Sequence, residues 1–420
     1  MDILALAKQE EEAIIRDRRY LHEHPEVSRQ EENTVAFIKQ RLETLGISYV
    51  EVPKGGILAF LGGEDAKKTV LLRADIDALP IEENPCNLKQ KKTCVSKVPG
   101  VGHLCGHDGH TAMLLAAGKI LQEHKEELPG RVILMFERAE EAGGNLLYLL
   151  RYLYENKIKI DGGFGMHVNP NVPAGKMSLD FGSITSGGYG FEMLLHGRGG
   201  HGSAPDKANS PIDCFVAIYQ AMTQIPVKYV SAKEVCAFNI GRVISGSKRN
   251  IIPETLDFAG GFRFYKKSVG DTVIKRFLRQ VDEICHVYDC THEVTYAIGP
   301  TLPIENNKQC VEIGRRAIEQ HLGAERRVDY GMESFSETFS NAMQFFPGAY
   351  GMLGIGNEAL GSGAMNHDPQ FDLDESVLYL GTAWHVAFAM EFLKNETAID
   401  FTPYAGSPDQ LYDDMNYKVE

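Results

Sequence analysis

Three apolar runs in this chain each break off into side chains that bind metals or move protons. Val70-Leu71-Leu72 runs into Arg73-Ala74-Asp75-Ile76-Asp77, Val132-Ile133-Leu134-Met135-Phe136 into Glu137-Arg138-Ala139-Glu140-Glu141, and Gly163-Phe164-Gly165-Met166 into His167. A strand that is apolar throughout is buried on both faces, which calls for a parallel sheet covered by helices. Such sheets place their chemistry at the carboxyl ends of the strands. The expected class is therefore α/β, a mostly parallel sheet flanked by helices.

The densest polar stretch, Val101-Gly102-His103-Leu104-Cys105-Gly106-His107-Asp108-Gly109-His110, enters the helix-forming run Thr111 to Leu121. Cys105 and His107 are two residues apart beside a glycine, so one short loop can present both to one ion. A capped helix start with bonded histidines is the plain alternative. Asp75 and Asp77 then fit best behind the ligands, orienting them. Adjacent carboxylates repel unless a cation or proton compensates them, so Glu140-Glu141 fits one metal ligand beside one general base. A charged helix entry would look the same.

At 420 residues the chain exceeds the usual single-core size, and two domains are expected. A formal net charge of -14 argues against nucleic acid and anionic membrane as partners. The start Met1 to Glu10 has no basic, apolar or cleavage signal, and no run approaches about eighteen apolar residues, which points to the cytoplasm. The eight cysteines are too sparse for a disulfide scaffold, and Cys86 and Cys94 read as reduced loop thiols.

Along the chain, helical spacing spans residues 2 to 23, with His22 and His24 at the turn before Pro25. A second helix is expected with Ser28 as its cap and Glu31 completing a capping box. Strands follow at Ser48 to Val52 and Gly56 to Leu61, a helix from 111 to 123, and strands at 131 to 136 and 163 to 169. From about Ser183 the order becomes strand, helix, strand, strand, helix, strand up to Ala297, a ferredoxin-like α+β unit. Helix and strand then alternate again through Lys308 to Gln320, Ala349 to Ile355 and Glu375 to Leu393. The expected division is a discontinuous catalytic domain, 1–183 and 299–400, an inserted lid or dimerisation domain, 184–298, and an acidic surface tail, 401–420.

These segments together resemble the M20 metallopeptidase clan, in its amidohydrolase branch of hippurate, auxin-conjugate and aminobenzoyl-glutamate hydrolases. The resemblance covers residues 12 to 395. It rests on Arg18-Arg19-Tyr20-Leu21-His22 with Pro25-Glu26, Leu72 to Pro80, Cys105 to His110, Ala139-Glu140-Glu141, Gly165-Met166-His167, Gly200 to Pro205, Asn250-Ile251-Ile252-Pro253 and Asn366-His367. It implies that Cys105, His107, Glu141, His167 and His367 hold two divalent ions per subunit, zinc, manganese, cobalt or nickel, with Cys105 bridging. Glu140 would be the general acid/base, His201 would reach into a neighbouring subunit's site to stabilise the oxyanion, and Asn250 would hold substrate. The activity implied is hydrolysis of small N-acyl or N-aroyl amino acids by a homodimer or larger homo-oligomer.

The chain departs from the family pattern at Glu137 and Arg138, where Gln and Pro usually precede Ala-Glu-Glu, and Arg138 reads as either a surface residue or an attractor of an anionic substrate group. The segment Asn84 to Lys97, rich in lysine and cysteine, is also unusual. Other readings are a dipeptidase or carboxypeptidase with the same metal pair, a non-catalytic metal-binding relative, and a thiol nucleophile at Cys105. The third leaves Glu141, His167 and His367 without purpose.

Overall fold

The computed structural model describes residues 1–415, apart from the side chains of Ile298 and Pro300. Among the described residues, eight strands form the main sheet. Their order is Ser48–Val52, Gly56–Leu61, Arg131–Glu137, Thr69–Asp75, Gly162–Pro173, Gly348–Gly356, Met177–Ser178 and Arg327–Val328. The central four run parallel, while the strands at the Ser48 edge are antiparallel. Alternation sorts the apolar runs between two cores. Val70, Leu72, Val132, Leu134 and Phe136 pack under the helices His107–Glu123 and Leu378–Lys394. Leu71, Ile133 and Met135 face the helix Leu146–Glu155. Register sets Asp75 opposite Glu137, so the acidic strand ends lie side by side.

Glu375–Lys394 is the one segment among the described residues long and apolar enough to cross a membrane, and 83% of its most apolar window is buried in the fold. It is the central core helix.

A four-stranded antiparallel sheet forms the second unit, in the order Cys236–Ser245, Thr255–Phe264, Gly187–His196 and Thr291–Thr301. This is the ferredoxin-like arrangement, with helices Pro211–Lys228 and Lys267–Val287 packed on the sheet. Val273, Phe277, Val281 and Cys285 recur at four-residue steps along the second helix and seal it against the strands.

The structure corrects several local expectations. The first helix is two, Ile3–Gln9 and Glu11–Glu23. The next begins at Glu32, and Ser28 does not cap it: its hydroxyl donates to Asp77 at 2.6 Å. The Glu26 carboxylate instead accepts the Asn33 and Thr34 backbone N–H groups, and Glu31 turns inward to Arg138 and the Ala139 N–H. The helix expected from 111 starts at His107, which brings His107, Asp108 and His110 onto its first turn.

Residues 401–415 are not a plain surface tail. Ser407 and Gln410 form a capping box for the helix Pro408–Asp414, and Leu411, Tyr412 and Met415 are buried in the second core. Residues 416–420 lie outside the described residues. The segment 84–97 is mostly exposed but anchored at three buried residues, Asn87, Lys92 and Cys94, with Lys92 against Glu83 and the Pro369 carbonyl.

Candidate metal centre

Two adjacent sets of donor atoms meet at the carboxyl ends of the central strands. One donor atom from each of Cys105, His107 and His167 lies within 4.8 Å of the others, and the same holds for Cys105, Glu141 and His367. The Cys105 thiol belongs to both sets, and a third set of His107, Glu140 and Glu141 adjoins them.

The backbone arranges this locally. Gly106 has φ +96°, and a Cβ there would stand 2.4 Å from Val168 Cγ2, so only glycine lets the loop turn into the helix at His107. Ala139 at φ +57° turns the chain between the strand end and Glu140-Glu141, held by its N–H bond to Glu31. His367 also adopts a left-handed conformation, φ +70°, with its N–H bonded to the Leu104 carbonyl at 2.8 Å. Backbone strain of this kind persists where the surroundings over-determine it.

Hydrogen bonds fix which imidazole nitrogens remain free. His167 donates from Nδ1 to the Val168 carbonyl at 2.7 Å, leaving Nε2 3.4 Å from Cys105 Sγ. His107 donates from Nδ1 to Asp77 at 3.2 Å, and its buried Nε2 makes no hydrogen bond, lying 3.6 Å from Asp75 and 3.9 Å from Glu141. His110 is saturated, donating to Asp75 at 2.6 Å and accepting the Val168 N–H at 3.0 Å, so it orients the site rather than facing it. Glu141 Oε1 lies 3.1 Å from His367 Nε2 yet has no hydrogen bond. Buried acceptors left unpaired and turned toward one another are costly unless a cation lies between them. Burial, with the carboxylates of Glu141 and Glu140, pushes the Cys105 thiol well above its ordinary range. A thiolate there needs a cation, and a free nucleophile is disfavoured. The residues therefore fit a metal pair.

Glu140 is pushed well above the ordinary carboxylate range by burial and by the Glu337 and Glu141 carboxylates. One oxygen, Oε1, accepts the Thr338 N–H at 3.2 Å. Thr338 is itself bolted down, its hydroxyl donating to Glu137 at 2.6 Å and accepting from Arg73 at 3.1 Å. Arg73 also contacts Asp75, Glu137 and Glu337 at 2.7–2.8 Å. Burial and Glu337 push Glu137 up to about 7 against the pull of Arg73. Behind the loop, Arg18 and His22 bond Asp108 at 2.7 and 2.8 Å, and His22 bonds Glu83 at 3.0 Å. His24 is exposed.

Not every residue singled out joins the cluster. His201 is exposed on the insert and bonds Ser203, and its strand pairs with Ile251–Ile252 beside Asn250. The structure brings these two together, apart from the donor sets. Arg138 is largely buried, and Glu31 and Glu32 hold it at 2.7 and 3.0 Å.

Glu337, Thr338 and Arg263 escaped the sequence reading. No apolar strand precedes Glu337 and Thr338 to mark them, and Arg263 looks like any strand residue. A cavity of about 190 Å³ opens at Glu140 and Glu141 and reaches Thr301, Ser336 and Met415. An adjoining cavity of about 450 Å³ shares Thr301 and Ser336 and contains Arg263, which donates to Ser336 Oγ at 2.7 Å. The cavity of about 590 Å³ beside Lys68, Asp161 and Pro347 lies at the opposite ends of the central strands.

A thiol, imidazoles and carboxylates gathered at the carboxyl ends of a parallel sheet define a hydrolase of the metal-binding kind. The chain belongs to peptidase family M20/M25/M40, whose model matches residues 71–391. It is 34% identical to thermostable carboxypeptidase 1 of Saccharolobus solfataricus, over 93% of this chain and 99% of that protein. It is 31% identical to IAA-amino acid hydrolase ILR1-like 2 of Arabidopsis thaliana, over 94% and 89%. Its fold matches a Bacillus subtilis protein described as a dinuclear metal binding peptidase of the M20 family, with TM-score 0.76 and 27% identity over 92% and 99% of the two chains.

Proposed function

We propose that the protein is a metal-dependent amidohydrolase that cleaves small N-acyl or N-aroyl amino acids to a carboxylic acid and an amino acid. The observation that carries this reading is the pair of donor sets sharing Cys105, placed directly beside the buried Glu140. Cys105, His107, His167, Glu141 and His367 are the proposed ligands of two divalent ions. Thiolate and imidazole suit zinc, and carboxylate with imidazole also suits manganese, cobalt or nickel. Bound there, such ions supply Lewis-acid polarisation of a carbonyl and acidify water.

Glu140 takes a proton from the attacking water and returns it to the departing amine nitrogen. The Thr338 N–H holds Oε1 still and leaves Oε2 for that transfer. A carboxylate neighbour such as Glu337 raises the proton affinity of Glu140, which favours proton uptake once Glu140 is ionised beside bound cations. Arg263, the cation of the adjoining cavity, takes the substrate's carboxylate.

His201 and Asn250 complete the site from a neighbouring subunit, His201 stabilising the oxyanion. Ile212, Val216 and Tyr219 form an exposed apolar stripe on the helix Pro211–Lys228, and Cys236–Ser245 is an edge strand, features that support a homodimer or larger homo-oligomer through the insert. The eight free thiols suit a reducing compartment, the cytoplasm.

A second reading, a carboxypeptidase acting on peptides, draws on the 34% identity to the thermostable carboxypeptidase. Both substrates end in an amino acid with a free carboxylate. Amino-acid release is measured on chelator-stripped protein with zinc, manganese, cobalt or nickel restored singly, on N-acyl amino acids and unblocked peptides. Metal-dependent release from the acylated set is expected. Release from peptides alone selects the carboxypeptidase, and silence on both with metal bound selects a non-catalytic relative.

A further inference from the structure

We propose that the C-terminal helix Pro408–Asp414, through the Met415 that follows it, limits the length of the acyl group the enzyme accepts. The proposal rests on the N-acyl amino acid reading above. The helix lies beyond the part of the chain that the family model matches, which ends at residue 391. It is nevertheless firmly seated. Its start carries a capping box, Arg151 pairs with Asp409, and Asn341 Nδ2 donates to the Tyr412 hydroxyl at 3.1 Å. Leu411, Tyr412 and Met415 are each no more than 3% exposed.

Seated this way, Met415 forms part of the wall of the cavity that holds Glu140 and Glu141. That cavity, about 190 Å³, is small for a ligand pocket. Among the described residues its lining includes three carboxylates, those of Glu140, Glu141 and Glu337, and no lysine or arginine, which disfavours the substrate's carboxylate there. The neighbouring cavity does have a cation, Arg263. With the carboxylate end there and the amide at Glu140, the acyl group extends toward Met415. Methionine is long and unbranched, and truncating it lengthens the cavity without moving a charge.

The test compares kcat/KM of the metal-loaded full chain for N-acetyl, N-butyryl and N-octanoyl derivatives of one amino acid, in the wild type, Met415→Ala and Met415→Phe. The wild type is expected to favour acetyl over octanoyl at least tenfold. Met415→Ala narrows that ratio about tenfold through the KM of the octanoyl substrate, and Met415→Phe widens it, in line with the worth of a few methylenes in a pocket. Met415→Leu, similar in volume, keeps the wild-type ratio. Equal ratios in wild type, Ala and Phe variants overturn the proposal, as does a ratio altered equally by Leu and Ala. Glu140→Gln is assayed alongside: persistent turnover overturns the assignment of the base while the acyl ratios still judge the helix. If the wild type releases no amino acid, the functional reading fails. Protection of the same variants against thermal unfolding by acetate, butyrate and octanoate then decides the length limit, with identical rankings overturning it.

Discussion

The two units of the molecule treat charge in opposite ways. Around the main sheet, Arg18, Arg73, Asp75, Asp108, Glu137 and Glu337 are all nearly out of water and bonded to one another. In the insert, the pairs Arg242 with Glu192 and Asp257, Lys266 with Glu234, and Arg279 with Glu283 lie in solvent. Apolar surface shows the reverse. The main unit buries its central helix almost completely, whereas more than half of the exposed large apolar side chains belong to the insert. Buried ions cost several kcal/mol each unless mutually satisfied, and fold stability alone does not require them. Their concentration behind the donor sets teaches that the main unit spends its stability holding carboxylates in place. The insert is stabilised by ordinary packing and leaves apolar side chains exposed.

The sharpest way to break this contrast is Glu140→Gln. The expected loss in kcat is about 10²–10⁴-fold with metal content and melting temperature kept, read by steady-state kinetics and metal analysis. Retained turnover would remove Glu140 from the chemistry. Next, Arg73→Met leaves three buried carboxylates without their cation, and should destabilise the fold by about 3–5 kcal/mol in urea titration. A loss under 1 kcal/mol would mean that those acids are held in water's reach.

Asp77→Asn keeps the shape behind His107 while weakening its acceptor, and is expected to cost about 10–100-fold in metal affinity or activity. Unchanged values would show that Asp77 does not orient the ligand.

Glu83 sharpens the comparison through pH. Burial pushes its carboxyl up, but His22, the Ser96 N–H and Lys92 outweigh burial and hold it at about 2, below its ordinary 4.5. A depressed acid contributes stability above its ordinary pKa and loses it as pH falls toward the folded value. Thermal melts between pH 5 and 2 should therefore fall less steeply for Glu83→Gln than for the wild type, and parallel curves would contradict the pairing.

The smallest expected effect on the main unit comes from the insert. Val216→Asp on the exposed stripe should weaken self-association in sedimentation and leave the melting of the main unit unchanged. A shift in melting with no change in association would show that the stripe serves the fold.

The parts legible in the sequence are those governed by local pattern. The apolar strands, the acidic and histidine residues at their ends, the Cys105 to His110 loop and the strand-helix order of the insert are written in consecutive residues, because burial on two faces and amphipathic periodicity act over one element at a time. Ser28 shows where that ends. Its spacing to Glu31 matches a capping box, yet a stronger partner, the buried Asp77, takes its hydroxyl, and Arg138 takes Glu31.

By itself, then, the sequence determined the class of fold, the family and the candidate donors. Tertiary structure alone decided that His110 is saturated while His107 is not, that Thr338 reaches Glu140 from nearly two hundred residues away, and that Met415 walls the cavity. These depend on which distant groups win a shared partner. A buried hydroxyl, carboxylate or imidazole has few bonds to give, and only the packed chain settles the competition.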